Sequence, residues 1–317
     1  VHTGLWNSCT DQPLPSAKFA LVQYLLEDGD TDLGILVSGE VLQRPDWVTC
    51  SSVMEMLEDW GWWKHTLLNL DVDSLTPLGP VTLVEPLTYP GKILCVGANY
   101  YDHAAEMGTK LPSPDAEPYF FLKSPATTFV GPLANIELPE CVHSTVDWEV
   151  ELGVVIGYRC KSISERDAAG AIAGYLVAND LSDRGLFHRE SSIFPAFDWD
   201  WVAQKNQDGF CPAGPGLVPA FLVDDPQSLR IRLEVNGVTK QDSNTAQMIT
   251  DINRLVSSAS KRMTLEPGDI ILTGTPAGVG LSRNEFLAIG DVVSAEVESI
   301  GRISNRIIRK QYYGQLY

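Results

Sequence analysis

The sequence predicts a mixed, β-rich α+β protein. Beyond residue 92 most of the chain consists of short apolar runs bounded by Gly, Pro, Asn and Asp, the pattern of strands joined by tight turns. Only two stretches in that region space their apolar residues as a helix does. Residues 1–85 differ in character, and Pro77, Pro80, Pro86 and Pro90 punctuate an extended connection to the remainder of the chain. A chain of 317 residues has room for a small unit and a larger one. The expected division is a small hairpin-plus-helix domain at 1–85 and a larger domain at 86–317.

In the first unit, residues 18–26 read as a strand, Glu27-Asp-Gly-Asp30 as a turn and residues 33–37 as the returning strand. The Trp-rich stretch 51–68 has helical spacing. In the second unit, strands are expected at 93–96, 119–123, 149–156, 174–179, 230–235, 270–273 and 291–299. Helices are expected at 164–173, where Ser164 offers an N-cap and acidic residues fill the first turn, and at 248–260. Many short strands with few helices make either a barrel or packed curved sheets.

The segment Asp147-Trp-Glu-Val-Glu151 opens one of these strands. Side chains alternate along a strand, so Glu149 and Glu151 share a face. Two like charges in a poorly solvated place either force one group to protonate or are held by a cation. With Asp180, which comes about thirty residues later, the set is all oxygen and suits Mg²⁺, Mn²⁺ or Ca²⁺. The pair alone is equally consistent with the solvated face of an edge strand.

Four further segments place polar residues among turn formers. His103 and Glu106 are three residues apart and share a face on a helical turn, where a carboxylate raises the basicity of an imidazole and orients it; a solvated surface pair is the plain alternative. Lys205 stands among aromatic and turn residues and could meet a substrate carboxylate or a developing enolate, although most lysines are merely solvated. The loop Thr273-Gly-Thr-Pro-Ala-Gly-Val-Gly280 permits exposed backbone N–H groups, yet lacks the Gly-Lys-Ser/Thr ending of a nucleotide loop. Arg184, four residues after Asp180, is either a neighbour of the same cation or a structural ion-pair partner.

Composition excludes several classes. With 41 acidic and 23 basic residues the net charge is −18, which repels phosphate backbones and anionic membranes, so no nucleic-acid or membrane partner is expected. No apolar run reaches the roughly 18 residues needed to cross a bilayer, and no secretory layout opens the chain. The six cysteines, Cys9, Cys50, Cys95, Cys141, Cys160 and Cys211, are scattered without a Cys-x-x-Cys pair, as expected of reduced thiols in a cytoplasmic protein.

Together these segments resemble the fumarylacetoacetate hydrolase family. The resemblance runs from Lys92 to the C-terminus. It rests on Gly97-Ala-Asn-Tyr-Tyr-Asp-His-Ala-Ala-Glu106, Phe121-Leu-Lys123, Asp147-Trp-Glu-Val-Glu-Leu-Gly-Val-Val-Ile-Gly157, Asn179-Asp-Leu-Ser182, Lys205 with Asp208-Gly-Phe-Cys-Pro212, and Leu272-Thr-Gly-Thr-Pro-Ala-Gly-Val-Gly280. It implies a β-roll core preceded by a small N-terminal domain, and a homodimer. It implies Mg²⁺ or Mn²⁺, with Ca²⁺ a further option, on Glu149, Glu151 and Asp180; catalytic roles for His103, Glu106 and Lys205; and substrate contacts from Asn99, Tyr100, Lys123, Arg184 and Thr275. Residues 99–110 would form a lid. Ala98 stands where acylpyruvase and oxaloacetate decarboxylase members often carry Arg, and the aromatic insert 194–201 predicts a larger or more apolar pocket wall.

The activity this implies first is hydrolysis of a carbon–carbon bond in a 2,4-dioxo acid of the acylpyruvate type. The cation would act as Lewis acid and template, and His103, polarised by Glu106, would activate water. The same site could decarboxylate or tautomerise a 2-oxo diacid, or dehydrate a 2-oxo-3-deoxy sugar acid. A protein that merely holds a structural Ca²⁺ is the reading from another class; it gives no use to His103, Glu106 and Lys205.

Overall fold

The computed structural model describes residues 19–110, 113, 115–138 and 145–310; Lys18 of the first expected strand, Cys9 and Cys141 lie outside them. Strands β1 (Ala20–Leu25) and β2 (Thr31–Val37) form the antiparallel hairpin, in register from Ala20 opposite Leu36 to Leu25 opposite Thr31. A short strand that the sequence pattern does not announce, β3 (Glu40–Gln43), pairs with β2. The helical stretch expected at 51–68 is two helices, α1 (Val53–Glu58) and α2 (Trp60–Leu67). Ser52 caps the first by accepting the Glu55 N–H, and Asp59, at φ −129° and ψ 53°, breaks the run between them.

The chain continues through β4 (Ile93–Gly97), α3 (Tyr101–Glu106), β5 (Tyr119–Lys123), α4 (Pro125–Thr128), β6 (Phe129–Val130), β7 (Ile136–Leu138), β8 (Val146–Asp147) and β9 (Val150–Ile156). Next come α5 (Glu165–Ala168), β10 (Ile172–Asn179), β11 (Ser182–Asp183), α6 (Trp201–Lys205), β12 (Cys211–Pro219), β13 (Arg230–Val235) and β14 (Val238–Asn244). It closes with α7 (Ile252–Arg262), β15 (Ile270–Leu272), α8 (Gly280–Arg283), β16 (Val292–Val297) and β17 (Gly301–Arg309). The helix expected at 164–173 is shorter than its pattern: the Ser164 hydroxyl donates to Asp167 instead of capping, and the chain enters β10 at Ile172. The second expected helix starts at Ile252, where Asp251 accepts the Arg254 N–H.

Ten strands form one mixed sheet in the order β3-β2-β1-β12-β10-β9-β15-β4-β5, with β6 added to β12. Five form a second sheet, β14-β13-β16-β17-β7, and β8 pairs with β11. The N-terminal hairpin thus joins the large sheet through β1, beside β12. Gly216 makes that approach possible, because a Cβ there would stand 2.4 Å from the Leu21 carbonyl oxygen. One core packs Leu152, Val154 and Val177 against Ile231, Leu233, Ala295 and Ile303 of the second sheet, while a second core packs Val155, Leu176 and Leu272 with Leu21, Trp60 and Leu67. Strand β9 is therefore central and buried along its whole length. The acidic segment at its start does not lie on a solvated edge.

Candidate active site

Glu149 sits immediately before β9 and Glu151 is its second residue; Asp180 directly follows β10, the neighbour of β9. Adjacent strand ends bring one carboxylate oxygen from each of the three within 4.8 Å of the others. All three are buried, Glu151 to 1% and Asp180 to 0% exposure. Burial that deep demands compensating charge. Lys205 supplies it from α6, its Nζ 2.9 Å from Glu149 Oε2 and 2.6 Å from Asp180 Oδ2. Lys123, at the end of β5, places its Nζ 2.5 Å from Asp180 Oδ1 and donates to the Leu181 carbonyl. Arg184 forks, with Nη2 2.5 Å from Glu149 Oε1 and Nε 2.9 Å from Asp147 Oδ2.

These neighbours split the two glutamates. Burial would raise the Glu149 carboxyl, but Lys205 and Arg184 outweigh it and hold the group well below the ordinary carboxylate range. Glu151 is pushed well above that range by burial, then by Asp180 and Glu149, which outweigh the opposing charge of Lys205 and a short hydrogen bond from the Gly274 N–H at 2.6 Å. Burial would lower the Lys205 ammonium; Asp180 and Glu149 raise it instead, so it stays protonated. An all-oxygen set of three buried carboxylates, one of them pushed up by burial and by its neighbours' charge, fits a hard divalent cation. Glu149, Glu151 and Asp180 are the residues that would hold it.

A cavity of about 670 Å³ opens onto this centre, lined on its polar side by Glu149, Arg184, Lys205, His103, Glu106 and Thr275. His103 Nδ1 lies 3.4 Å from Glu106 Oε2 on α3. Glu106 also accepts the Gly278 N–H at 3.0 Å and the Ser282 hydroxyl at 2.7 Å, which fixes the pair over the glycine-rich loop. Gly278 has φ +105°, and a Cβ there would stand 2.1 Å from the Lys240 carbonyl oxygen, so this turn requires glycine. Thr275 donates to the Val150 carbonyl and accepts from Gln241.

Three expected substrate contacts take other positions. Asn99 is fully engaged as a brace, accepting the Thr250 N–H and donating to the carbonyls of Thr250 and Thr273. Tyr100 is buried in the core between the sheets, and Lys123 is a counter-ion behind Asp180. Neither they nor Asn99 line the cavity. Sequence reasoning gave no role to Asp147, although it opens the acidic motif, nor to Gln241, whose amide joins the Val150 N–H to Thr275 and the Pro276 carbonyl. Gln241 lies in a polar, half-exposed strand that carries no signal of such a bridge.

Residues 92–308 match the family Fumarylacetoacetate (FAA) hydrolase C-terminal. The chain belongs to the fumarylacetoacetate hydrolase family. It is 43% identical over 230 residues to a mitochondrial oxaloacetate tautomerase of Xenopus laevis, covering 72% of this chain and 69% of that protein. It is 44% identical over 241 residues to one from Bos taurus, covering 73% and 71%. Among solved structures, the fumarylacetoacetate hydrolase of Exiguobacterium antarcticum superposes with a TM-score of 0.78 at 29% identity, covering 92% of this chain and 100% of that one. The maleylpyruvate hydrolase of Sphingobium sp. SYK-6, in complex with manganese(II) and pyruvate, does so with a TM-score of 0.71 at 28% identity, again covering 92% and 100%. The fumarylacetoacetate hydrolase fold and membership in this enzyme family are thereby established, and the acidic triad is a candidate metal site within it. The relatives named as mitochondrial give the cytoplasmic expectation no support. Among the described residues no helix is long and apolar enough to cross a membrane.

Proposed function

We propose that this chain moves a proton at the carbon beside the 2-oxo group of a small 2-oxo acid, a keto–enol tautomerisation of the kind named for its curated relatives. Sequence reasoning put carbon–carbon hydrolysis first and tautomerisation among the alternatives; relatives 43–44% identical over nearly three quarters of the chain favour the reverse order. The observation that carries the reading is that His103, backed by Glu106, and the permanently charged Lys205 line the same cavity.

In that reading His103 takes the proton from C3 as general base, and Glu106 orients the imidazole and stabilises its charged form. Electron density moves onto the 2-oxo oxygen. Lys205 offers fixed positive charge for the enolate without reorganising, because Glu149 and Asp180 already hold its Nζ in place. Arg184, tethered to Asp147 and Glu149, fixes the Glu149 carboxylate. A Mg²⁺ or Mn²⁺ ion on Glu149, Glu151 and Asp180 would supply Lewis acidity toward the 2-oxo acid. Every side chain in these roles falls between residues 103 and 205, inside the 86–317 unit, and a homodimer is the proposed working form.

Hydrolysis of a dioxo acid is the second reading. A cavity of about 670 Å³ exceeds what a four-carbon diacid needs and leaves room for a water beside His103. Product analysis separates the two. With oxaloacetate, tautomerisation changes the enol absorbance at constant mass and releases no CO₂; with acetylpyruvate, hydrolysis gives acetate and pyruvate. Stoichiometric pyruvate from acetylpyruvate, with no acceleration of oxaloacetate enol–keto exchange, would replace the first reading by the second.

A further inference from the structure

Helix α6 joins the charged centre to an aromatic wall. It is a single short helical segment, so Trp201 and Lys205, four residues apart, project from one side. Lys205 reaches the carboxylates, while Trp201 stacks on Phe121 with ring centroids 4.6 Å apart at 27° and meets Phe187 edge-on at 4.8 Å and 74°. Lys205 Nζ lies 5.1 Å from the Phe121 ring centre, so the wall begins one ring's width from the ammonium. Trp201, Phe121 and Phe187 all line the cavity and are only half-buried, leaving ring surface available to a ligand.

Charge is missing on that side. Arg184 and Lys205 line the cavity, and both are already held by carboxylates. Ala98, which also lines it, is uncharged, and the carboxyl groups there, Glu149 and the His103 partner Glu106, are acidic. A second carboxylate at the far end of a substrate would give up water for aromatic faces, with no cation among the described lining residues left to receive it. A flat apolar group would instead gain stacking and burial.

We propose that this site prefers a 2-oxo acid whose C3 carries an aromatic ring, and that Trp201 and Phe187 set the preference. The inference rests on the enol-forming reading of the site and names its substrate class. The reaction balances without a co-substrate: the C3–H bond breaks, His103 takes the proton, the C2–C3 double bond forms, and the 2-oxo oxygen gains a proton from solvent while His103 returns its own. An aryl group on C3 becomes conjugated and coplanar with that double bond, so contact with the flat Trp201–Phe121 surface improves as the enol forms.

The test measures phenylpyruvate against oxaloacetate in Mg²⁺ buffer by enol absorbance, and the affinity for each by calorimetry, with the parent protein, Trp201→Ala and Phe187→Arg. The parent is expected to favour phenylpyruvate in kcat/KM by about tenfold or more. Trp201→Ala should raise the KM for phenylpyruvate about tenfold more than that for oxaloacetate, and Phe187→Arg should reverse the preference. Phe187→Arg serves alone if Trp201→Ala does not fold. A parent that favours oxaloacetate, or variants that shift both acids equally, would overturn the inference. If neither acid is turned over, the enol-forming reading fails, and calorimetry decides the inference: tighter binding of phenylpyruvate that Phe187→Arg abolishes upholds it, and equal or weaker binding overturns it.

Discussion

Arg184 and Asp147 lie 2.9 Å apart and tie the glycine-rich loop to the acidic centre. Asp147 is fully buried and accepts the N–H groups of Trp148, Gly280 and Leu281 as well as Arg184 Nε, while the other arm of Arg184 holds Glu149. One carboxylate thereby fixes the turn that receives Glu106 and the arginine that fixes Glu149.

Removing it should be costly, because Arg184 would keep a buried charge with half its compensation gone. Asp147→Ala is expected to lower the free energy of unfolding by about 3–5 kcal/mol, measured by chemical denaturation. A loss below roughly 1 kcal/mol, the range of an exposed ion pair, would show that the bridge does not organise the loop.

In the proposed reaction His103 transfers a proton, and it stands outside the carboxylate set of Glu149, Glu151 and Asp180. His103→Ala should therefore lower kcat by about two orders of magnitude or more while Mg²⁺ affinity, read by calorimetry, stays near that of the parent. Loss of Mg²⁺ binding in this variant would make His103 a ligand.

The two glutamates give the cation-free protein a definite response to pH. Above the ordinary glutamate range an unfolded Glu151 is ionised, whereas the folded one, pushed up by burial and by Asp180 and Glu149, keeps its proton, so its contribution to stability is lost as pH rises. Glu149 acts in the opposite sense: its depressed folded value favours the native state above the ordinary glutamate range, and that contribution is lost as pH falls toward the depressed value. A divalent cation bound at the triad would displace the Glu151 proton, so the rise in Tm on adding Mg²⁺ should be larger at pH 8 than at pH 5. An increment that shrinks with pH would be incompatible with a buried carboxylate ligand set.

Cys95 and Cys211 flank the centre from the core side, both fully buried. Burial pushes the Cys211 thiol up to about 12 and the Cys95 thiol well above its usual range, each despite the opposing charge of Lys123. Neither should react with a thiolate-directed reagent at pH 8 in the native state, and both should react after denaturation, as peptide mapping would show. Rapid native labelling of Cys211 would mean that the sheet opens there.

The sequence was most legible where one face or one motif decides the structure. Strands 119–123 and 230–235 appear with the bounds their patterns indicated, and the acidic triad could be read because Glu149 and Glu151 are two apart and Asp180 ends the neighbouring strand. Strand β12 was missed because Cys-Pro-Ala-Gly-Pro reads as turns; its Gly216 is there to admit β1. Strand β17 was missed because Asn305, buried among its inward residues, breaks the apolar period, its NH2 group donating to the carbonyls of Gly131 and Ala134. The protein partners that Asn99 and Lys123 take were not legible for a related reason. A motif names the residue type, and only the packed partners show whether its polar atoms face a ligand or are spent on the protein.

The most direct measurement tracks oxaloacetate enol–keto exchange by ultraviolet absorbance with chelator-stripped protein, before and after Mg²⁺, using the parent and His103→Ala. The account predicts that the parent accelerates exchange only once the cation is present, with no CO₂ released, and that His103→Ala loses nearly all of that acceleration. Acceleration that is equal in chelator and in Mg²⁺, or that survives in His103→Ala, would contradict it.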